Sequence, residues 1–112
     1  MIMAKLALKA APTFKAQVEI PVAGVKPVKM EFTFRHRTRK ELDVYLADLR
    51  AKQAEGGNAD EVAAVMDVAI GWENDEPFNA ENVGEFLDSY HKAAWAIGNA
   101  YITELMQARE GN

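Results

Sequence analysis

The stretch Phe34-Arg35-His36-Arg37-Thr38-Arg39-Lys40-Glu41-Leu42 joins two different hydrophobic patterns, and this change of pattern decides the fold. Before it, apolar and polar residues alternate with the period of two that is typical of a half-buried β-strand. After it, apolar residues recur every three or four positions, as in an amphipathic α-helix. The sequence therefore predicts an α+β fold with an N-terminal β part and a C-terminal helical part.

Two alternating runs precede this junction. Their apolar members are Phe14, Ala16, Val18, Ile20 and Val22 in the first run and Val28, Met30, Phe32 and Phe34 in the second. Turn residues at 23–27 separate the runs, so residues 14–36 are predicted to form an antiparallel hairpin. Pro21 lacks an N–H group, so it either places the first strand at an edge or ends it early. Because a lone hairpin is marginally stable, its apolar face is expected to pack on helices.

The first of about four predicted helices begins after Thr38. Thr38 and Glu41 have the spacing of a capping box, in which two side chains bind backbone N–H groups at a helix start. The apolar stripe that follows is Leu42, Tyr45, Leu46 and Leu49. We expect this helix to end near Glu55, before Gly56-Gly57.

The second predicted helix is capped by Asn58 or Asp60 and is stopped by Gly71. Its apolar stripe is Val62, Val65, Met66, Ala69 and Ile70. The segment from Trp72 to Phe78 is then predicted to be a loop, because its polar and turn-forming residues show no helical period.

Asn79 is the predicted cap of the third helix, whose apolar stripe is Val83, Phe86, Leu87 and Tyr90. The fourth helix is predicted from about Lys92 to Arg109. Its apolar residues are Trp95, Ile97, Tyr101, Ile102, Leu105 and Met106. They cover more than half of the circumference, which indicates a helix buried on several sides. The whole chain, residues 1–112, is thus predicted to be one domain, with the hairpin packed on a helical part over residues 38–108.

Composition disfavours several classes of protein. The chain has 112 residues and no cysteine, so a disulfide framework, a thiolate metal site and a cysteine nucleophile are excluded. His36 and His91 lack a metal-ligand spacing, and Ser89 does not lie in the glycine-flanked turn of serine hydrolases. The sequence predicts no catalytic, cofactor or metal site. A small metal-free enzyme that uses glutamate and histidine stays open, since spatial neighbours are invisible in one sequence.

The same composition bears on location. No apolar run approaches the roughly 20 residues of a membrane-spanning helix. Lys5 and Lys9 interrupt the N-terminal apolar segment, which is therefore a poor signal peptide. A cytoplasmic protein that contacts no membrane is the simplest interpretation, although a chain without cysteine is also compatible with export.

Charge is segregated along the chain. Residues 1–40 hold nine Lys and Arg against two acids, a balance of +7. Residues 41–112 hold four against fifteen, a balance of −11. Such a dipolar molecule is suited to oriented recognition of a macromolecule or of another copy of itself.

Two segments are candidate binding surfaces. The basic junction consists of Arg35, Arg37, Arg39 and Lys40, and alternation predicts that Arg35 and Arg37 lie together on the outer face. The acidic loop consists of Trp72, Glu73, Asp75, Glu76 and Phe78. Its two aromatic residues have two interpretations, as plugs of a corner between helices or as docking anchors within a charged rim.

The basic junction also leaves a second function open, that of a small nucleic-acid-binding regulator. Arginines interleaved with aromatic residues can contact phosphates and bases. Phe32 and Phe34, however, are in phase with the apolar face of the hairpin, which assigns them to the core. An isoelectric point near 5.2 also leaves the remaining surface repelling phosphate, so nucleic acid is the weaker hypothesis.

The order of elements resembles the tail assembly chaperones of long-tailed bacteriophages. The resemblance covers about residues 14–106. It rests on the hairpin, on the run Phe32-Thr33-Phe34-Arg35-His36-Arg37-Thr38 that leads into a helix, on Gly71-Trp72 before an acidic segment, and on the segments Tyr90–Ile97 and Ala100–Leu105. Its specificity comes from several weak motifs in the right order.

This resemblance implies a non-enzymatic protein of the infected bacterial cytoplasm. Members of the family coat the tape-measure protein, bring tail-tube subunits to it, self-associate and are absent from the finished virion. Many also exist in a longer form that is made by ribosomal frameshifting. A homo-oligomeric assembly factor without cofactors is therefore expected, with the basic junction and the acidic loop as its protein-binding surfaces.

Overall fold

A computed structural model describes residues 8–56 and 60–109, except for the side chains of residues 108 and 109. The elements in chain order are β1 (Thr13–Ile20), β2 (Val28–Arg35), α1 (Arg39–Glu55), α2 (Glu61–Val68), β3 (Ala69–Trp72), α3 (Ala80–Ser89) and α4 (Ala93–Arg109). The α+β class, the N-terminal hairpin and the four helices are as predicted. The N-terminal apolar segment, apart from Leu8, and the alternative cap Asn58 fall outside the described residues.

The hairpin pairs along its whole length. Phe14 lies opposite Phe34, and Ile20 lies opposite Val28, so the apolar members of the two runs share one face. β1 is an edge strand that ends directly before Pro21, which agrees with both roles predicted for this proline. Gly24 in the connection has a φ of 80°, a conformation that favours glycine.

A third strand corrects the predicted second helix. The helix ends at Val68, and Ala69–Trp72 forms β3, which pairs antiparallel to β2 in the order β1-β2-β3. Trp72 lies opposite Phe32, and the N–H of Glu73 extends the pairing by donating to the carbonyl oxygen of Glu31 at 2.8 Å. Helical periodicity through Ile70 was misleading because short apolar runs fit either period, and the unpaired edge of β2 favours a strand.

The core lies between the sheet and helices α2, α3 and α4. Phe32 and Phe34 have no exposed surface, which confirms their assignment to the core. α4 buries one side, formed by Ala93, Ala96, Ile97, Tyr101 and Leu105. Trp95 is 66% exposed, so the expectation that it lies in the buried set is wrong. α4 packs on β1, α2 and α3 and leaves the face of Trp95 without a covering element among the described residues.

The predicted helix caps are present. The N–H of Glu41 donates to Oγ1 of Thr38 at 3.2 Å, and the N–H of Thr38 donates to Oε1 of Glu41 at 2.8 Å. Asp60 accepts a hydrogen bond from the N–H of Ala63, and Asn79 caps α3 in the same way. α1 ends at Glu55, as expected from the glycine that follows. Local capping chemistry thus sets the start of α1, α2 and α3.

α1 is attached to the body mainly through its first turns. Leu42 is its one buried residue. Tyr45, Leu46 and Leu49 are only half-buried, and Val44 is 61% exposed. A 17-residue helix with so little covered apolar surface leaves much of its length available to a partner.

Candidate protein-binding surfaces

Arg37 lies at the centre of a polar cluster where the hairpin meets the helices. Its Nη1 donates to the hydroxyl oxygen of Tyr101 at 2.9 Å, and its Nη2 donates to Oδ2 of Asp67 at 3.0 Å. The guanidinium also stacks over the ring of Tyr45, 4.4 Å from the ring centroid. We call Arg37, Tyr45, Asp67 and Tyr101 the junction cluster. It ties the segment after β2 to α1, α2 and α4.

This arrangement corrects the prediction that Arg35 and Arg37 share the outer face. Arg35 is the last residue of β2, and its side chain is exposed. The chain leaves the strand conformation after it, so alternation no longer holds, and the side chain of Arg37 turns inward until only 19% of it is exposed. The carbonyl oxygen of Arg35 accepts a hydrogen bond from the hydroxyl of Tyr101 at 2.9 Å, which secures the change of direction.

The junction cluster changes the acidity of its members. Burial, the largest influence, lowers the pKa of Arg37, but its contacts with Tyr101 and Asp67 together outweigh burial and raise the pKa above the ordinary value. Burial raises the pKa of Tyr101 and of Tyr45, against the opposing effect of the arginine charge. At neutral pH the cluster therefore holds a charged guanidinium between two neutral phenols, an arrangement suited to holding a structure together.

Three members of the basic junction remain on the surface. Arg35, Arg39 and Lys40 all have exposed side chains. Arg39 and Lys40 occupy the first turn of α1, where the helix dipole disfavours positive charge. Both cations lie where an acidic partner would be attracted to them.

The aromatic residues of the acidic loop pack inward. The rings of Trp72 and Phe78 meet edge to face with centroids 5.2 Å apart, and Trp72 lies 5.3 Å from Phe86 of α3. The indole Nε1 of Trp72 donates to the carbonyl oxygen of Glu76 at 2.8 Å. The loop is thus folded around its tryptophan, and both rings pack against the core, as the interpretation of plugs requires.

The acids of this loop remain outside. Glu73, Asp75 and Glu76 are exposed. One oxygen of Glu73 accepts a hydrogen bond from the N–H of Glu31 at 3.0 Å, so this carboxylate also helps to fasten the loop to β2. A shallow depression of about 290 Å³ adjoins Trp72, Glu76 and Tyr90. The structure does not join the acidic loop to the basic junction, because β3 leads away from the junction along β2.

A groove between α1 and α2 was not predicted from the sequence. It has a volume of about 1060 Å³, and one end is formed by Arg37 and Asp67. Its lining residues are Arg37, Glu41, Val44, Tyr45, Asp48, Leu49, Lys52, Gln53, Glu55, Gly56, Asp60, Ala63, Ala64 and Asp67. The one signal in the sequence was Val44, an apolar residue outside the stripe of α1.

The described residues provide neither a cluster for a metal ion nor a helix that could cross a membrane. Residues 8–56 and 60–109 contain no group of three or more histidine and acidic side chains that could hold a metal ion. Within the same ranges, none of the helices has the length and apolar character needed to cross a membrane.

Fold and surface together define a small α+β protein whose distinctive features are charged surfaces and a groove between helices, an arrangement suited to binding other proteins. The family model described as "Phage tail assembly chaperone" matches residues 3–112. The chain belongs to this family, which confirms the resemblance seen in its motifs. No curated protein and no solved structure gives a significant match.

Proposed function

We propose that this chain binds the tape-measure protein of a long-tailed phage, recruits tail-tube subunits to it and self-associates during tail assembly. Membership of the tail assembly chaperone family supports a role in tail assembly. The separation of an exposed basic junction from an exposed acidic loop supports oriented contacts between proteins. Under this proposal the protein acts without catalysis, works in the host cytoplasm and is absent from the finished virion.

The observation that carries the proposal is the distribution of charge around β2. Arg35 ends this strand at the junction, while Glu31, four residues earlier, is bound to Glu73 of the acidic loop. Four strand residues span about 13 Å, so the two surfaces are distinct. Each could meet a surface of opposite charge on a client or on another copy.

The predicted contact residues divide into two roles. We propose that Arg35, Arg39 and Lys40 contact partners directly, together with the carboxylates of the acidic loop. Arg37 is committed to Tyr101 and Asp67 within the molecule, so its proposed role is to position the junction. Trp72 and Phe78 likewise shape the loop that presents Glu73, Asp75 and Glu76.

The test is co-purification with the tape-measure protein of the same phage. The variant R35E/R39E reverses two exposed cations of the junction. The matched control R50E/K92E reverses two exposed cations elsewhere, with the same change in net charge. We expect R35E/R39E to reduce the amount of tape-measure protein recovered at least tenfold and R50E/K92E to leave it within twofold of the unmodified chain.

Two results would contradict the proposal. Equal recovery with both variants would remove the basic junction from the binding surface. Failure of the unmodified chain to retain the tape-measure protein, combined with salt-sensitive binding to a DNA or RNA duplex in a gel-shift titration, would favour the nucleic-acid-binding regulator. Phosphate contacts weaken steeply with salt, so titrations at two salt concentrations identify that outcome.

A further inference from the structure

The turn of the hairpin exposes apolar surface that the fold does not use. Val25 is 63% exposed and Val28 is 53% exposed, although valine is usually buried. Lys26 and Lys29 accompany them, and no acid occurs between residues 20 and 30. Glu19, opposite Lys29 on β1, is the nearest acid in the strand register. We call residues 25–29 the hairpin tip, an apolar knob with a basic rim.

The groove between α1 and α2 has the opposite character. Its apolar lining residues include Val44, Leu49 and Ala63, and its acidic lining residues include Asp48, Glu55 and Asp60. Arg37 and Asp67 neutralise each other at one end. Along the remainder, Asp48, Glu55 and Asp60 outnumber the single cation Lys52, so this part of the groove attracts positive charge.

We propose that the hairpin tip of one copy inserts into the α1–α2 groove of a second copy. This inference rests on the proposed function, because self-association is part of it, and it names the surfaces. The valines of the tip would cover Val44, and the lysines would face the acids of the rim. A volume of about 1060 Å³ lies at the upper end of the range for ligand pockets and leaves room for a turn of polypeptide.

The geometry favours a second copy over the chain's own tip. β1 and β2 are paired from Thr13–Arg35 to Ile20–Val28, so the tip stands at the far end of an eight-residue ladder. That ladder is about 25 Å long, and the Arg37 end of the groove lies at its opposite end. A paired ladder cannot fold back on itself without breaking its hydrogen bonds.

Such a contact is heterologous, since a tip meets a groove and each molecule keeps one of each free. Heterologous contacts generate rings when the rotation closes and open chains when it does not. The contact area is small and partly ionic, so assembly is expected to depend on protein concentration and to weaken as salt rises. Both properties suit an assembly that forms along a client and later leaves it.

The test uses two variants that each damage one half of the contact. V25D places a negative charge on the apolar tip and leaves the groove unchanged. V44D places a negative charge in the groove and leaves the tip unchanged. A47D is the matched control for V44D, because Ala47 is an exposed residue of α1 that does not line the groove. Mass is measured by light scattering during size-exclusion chromatography, and circular dichroism verifies that each variant folds.

We expect the unmodified chain and A47D to assemble and V25D and V44D each to elute at the monomer mass of 12.4 kDa. An equimolar mixture of V25D and V44D should form a species of two chains and no larger one. One intact tip meets one intact groove in that mixture, and growth then stops. Contacts of tip with tip or of groove with groove would not produce this complementation.

Assembly of V25D or V44D like the unmodified chain would overturn the inference, as would a mixture that stays monomeric. A strictly monomeric unmodified chain would also overturn it. Retention of the tape-measure protein by the same variants, measured in parallel, separates these failures from a failure of the chaperone function. If V25D and V44D lose self-association and still retain the tape-measure protein, the tip and groove act in self-association and not in client binding.

Discussion

The hydroxyl oxygen of Tyr101 lies 2.9 Å from Nη1 of Arg37, across 64 positions of the chain. The same hydroxyl donates to the carbonyl oxygen of Arg35 at 2.9 Å, so one phenol fixes both the end of β2 and the side chain that follows it. Tyr101 is fully buried in α4. This single residue therefore couples the last helix to the point where the hairpin becomes the helical part.

Replacement of Tyr101 with phenylalanine tests that coupling. Y101F removes a donor from the Arg35 carbonyl and an acceptor from Arg37, and the free energy of unfolding should fall by about 1–3 kcal/mol. The control is Y90F. The ring of Tyr90 packs on Phe86, and its hydroxyl has no hydrogen bond among the described residues. Y90F should change the free energy of unfolding by less than about 0.5 kcal/mol. Urea denaturation measures both, and equal effects would contradict the assigned role.

Alkaline pH should destabilise the junction cluster. Burial holds the pKa of Tyr45 and Tyr101 above the ordinary value of 10 in the folded protein. The unfolded chain then loses its phenolic protons first, so the stabilisation is complete below pH 10 and is lost as pH rises toward the folded pKa values. Urea denaturation between pH 8 and 11.5 should show a smaller decline in the free energy of unfolding for Y45F/Y101F than for the unmodified chain. Parallel declines would contradict this prediction.

The capping box of α1 should control the stability of a helix that has few other attachments. T38A removes the side chain that accepts from the N–H of Glu41, and such caps contribute about 1 kcal/mol. Because α1 buries only Leu42, amide hydrogen exchange should rise in α1 more than in α4. T103A, at an exposed position of α4, is the control. Uniform exchange across both helices would show that α1 is held by other contacts.

The same box makes α1 sensitive to acid. Hydrogen bonds from Thr38 hold the pKa of Glu41 below its ordinary value of 4.5. The stabilisation by this carboxylate is present above that value and is lost as pH falls through the lowered pKa. T38A removes the side-chain bond and leaves the larger backbone bond, so titration of Glu41 by NMR should show a pKa that is higher than in the unmodified chain but still below the ordinary value. An unchanged pKa would indicate that the hydroxyl of Thr38 makes no contribution to the acidity of Glu41.

The two tryptophans should differ in their effect on stability. Trp72 packs against Phe32, Phe78 and Phe86, so W72A should lower the free energy of unfolding by about 3 kcal/mol. Trp95 is mostly exposed, and W95A should change it by less than about 0.5 kcal/mol. In the single-tryptophan variants, emission from Trp72 in W95F should lie at shorter wavelength than emission from Trp95 in W72F. Similar losses of stability in both alanine variants would contradict the exposure of Trp95.

Alanine substitutions at two glycines should shift the thermal midpoint in opposite directions. G24A places a side chain at a φ of 80°, which costs about 1–2 kcal/mol. G98A lies inside α4, where an added Cβ would come within 4 Å of nothing outside its own stretch of helix, and alanine should stabilise the helix by about 0.5–1 kcal/mol. Thermal denaturation should place the midpoint of G98A above that of the unmodified chain and the midpoint of G24A below it. A stabilising G24A would mean that the turn has another conformation.

Local signals were sufficient for much of the fold and for part of the candidate surfaces. The alternation through Phe32 and Phe34 predicted which face of the hairpin is buried, and Thr38, Asp60 and Asn79 predicted where helices begin. These signals depend on residues within about four positions of one another. The exposure of Arg35 followed from the same alternation.

Four features depended on the tertiary structure. They are the strand at Ala69–Trp72, the inward turn of Arg37, the exposure of Trp95 and the groove beside Val44. The free edge of β2 decides the strand, and the phenol of Tyr101 decides the inward turn of Arg37. The packing of α4 on β1 decides which side of α4 is exposed, and the arrangement of α1 beside α2 forms the groove. The amino-acid sequence by itself determined the periods, the caps and the segregation of charge, since these act between near neighbours along the chain. Only the packing of the hairpin against the helices decided which cation is held inside and which apolar residues remain exposed, because burial and pairing of polar groups are satisfied between distant segments.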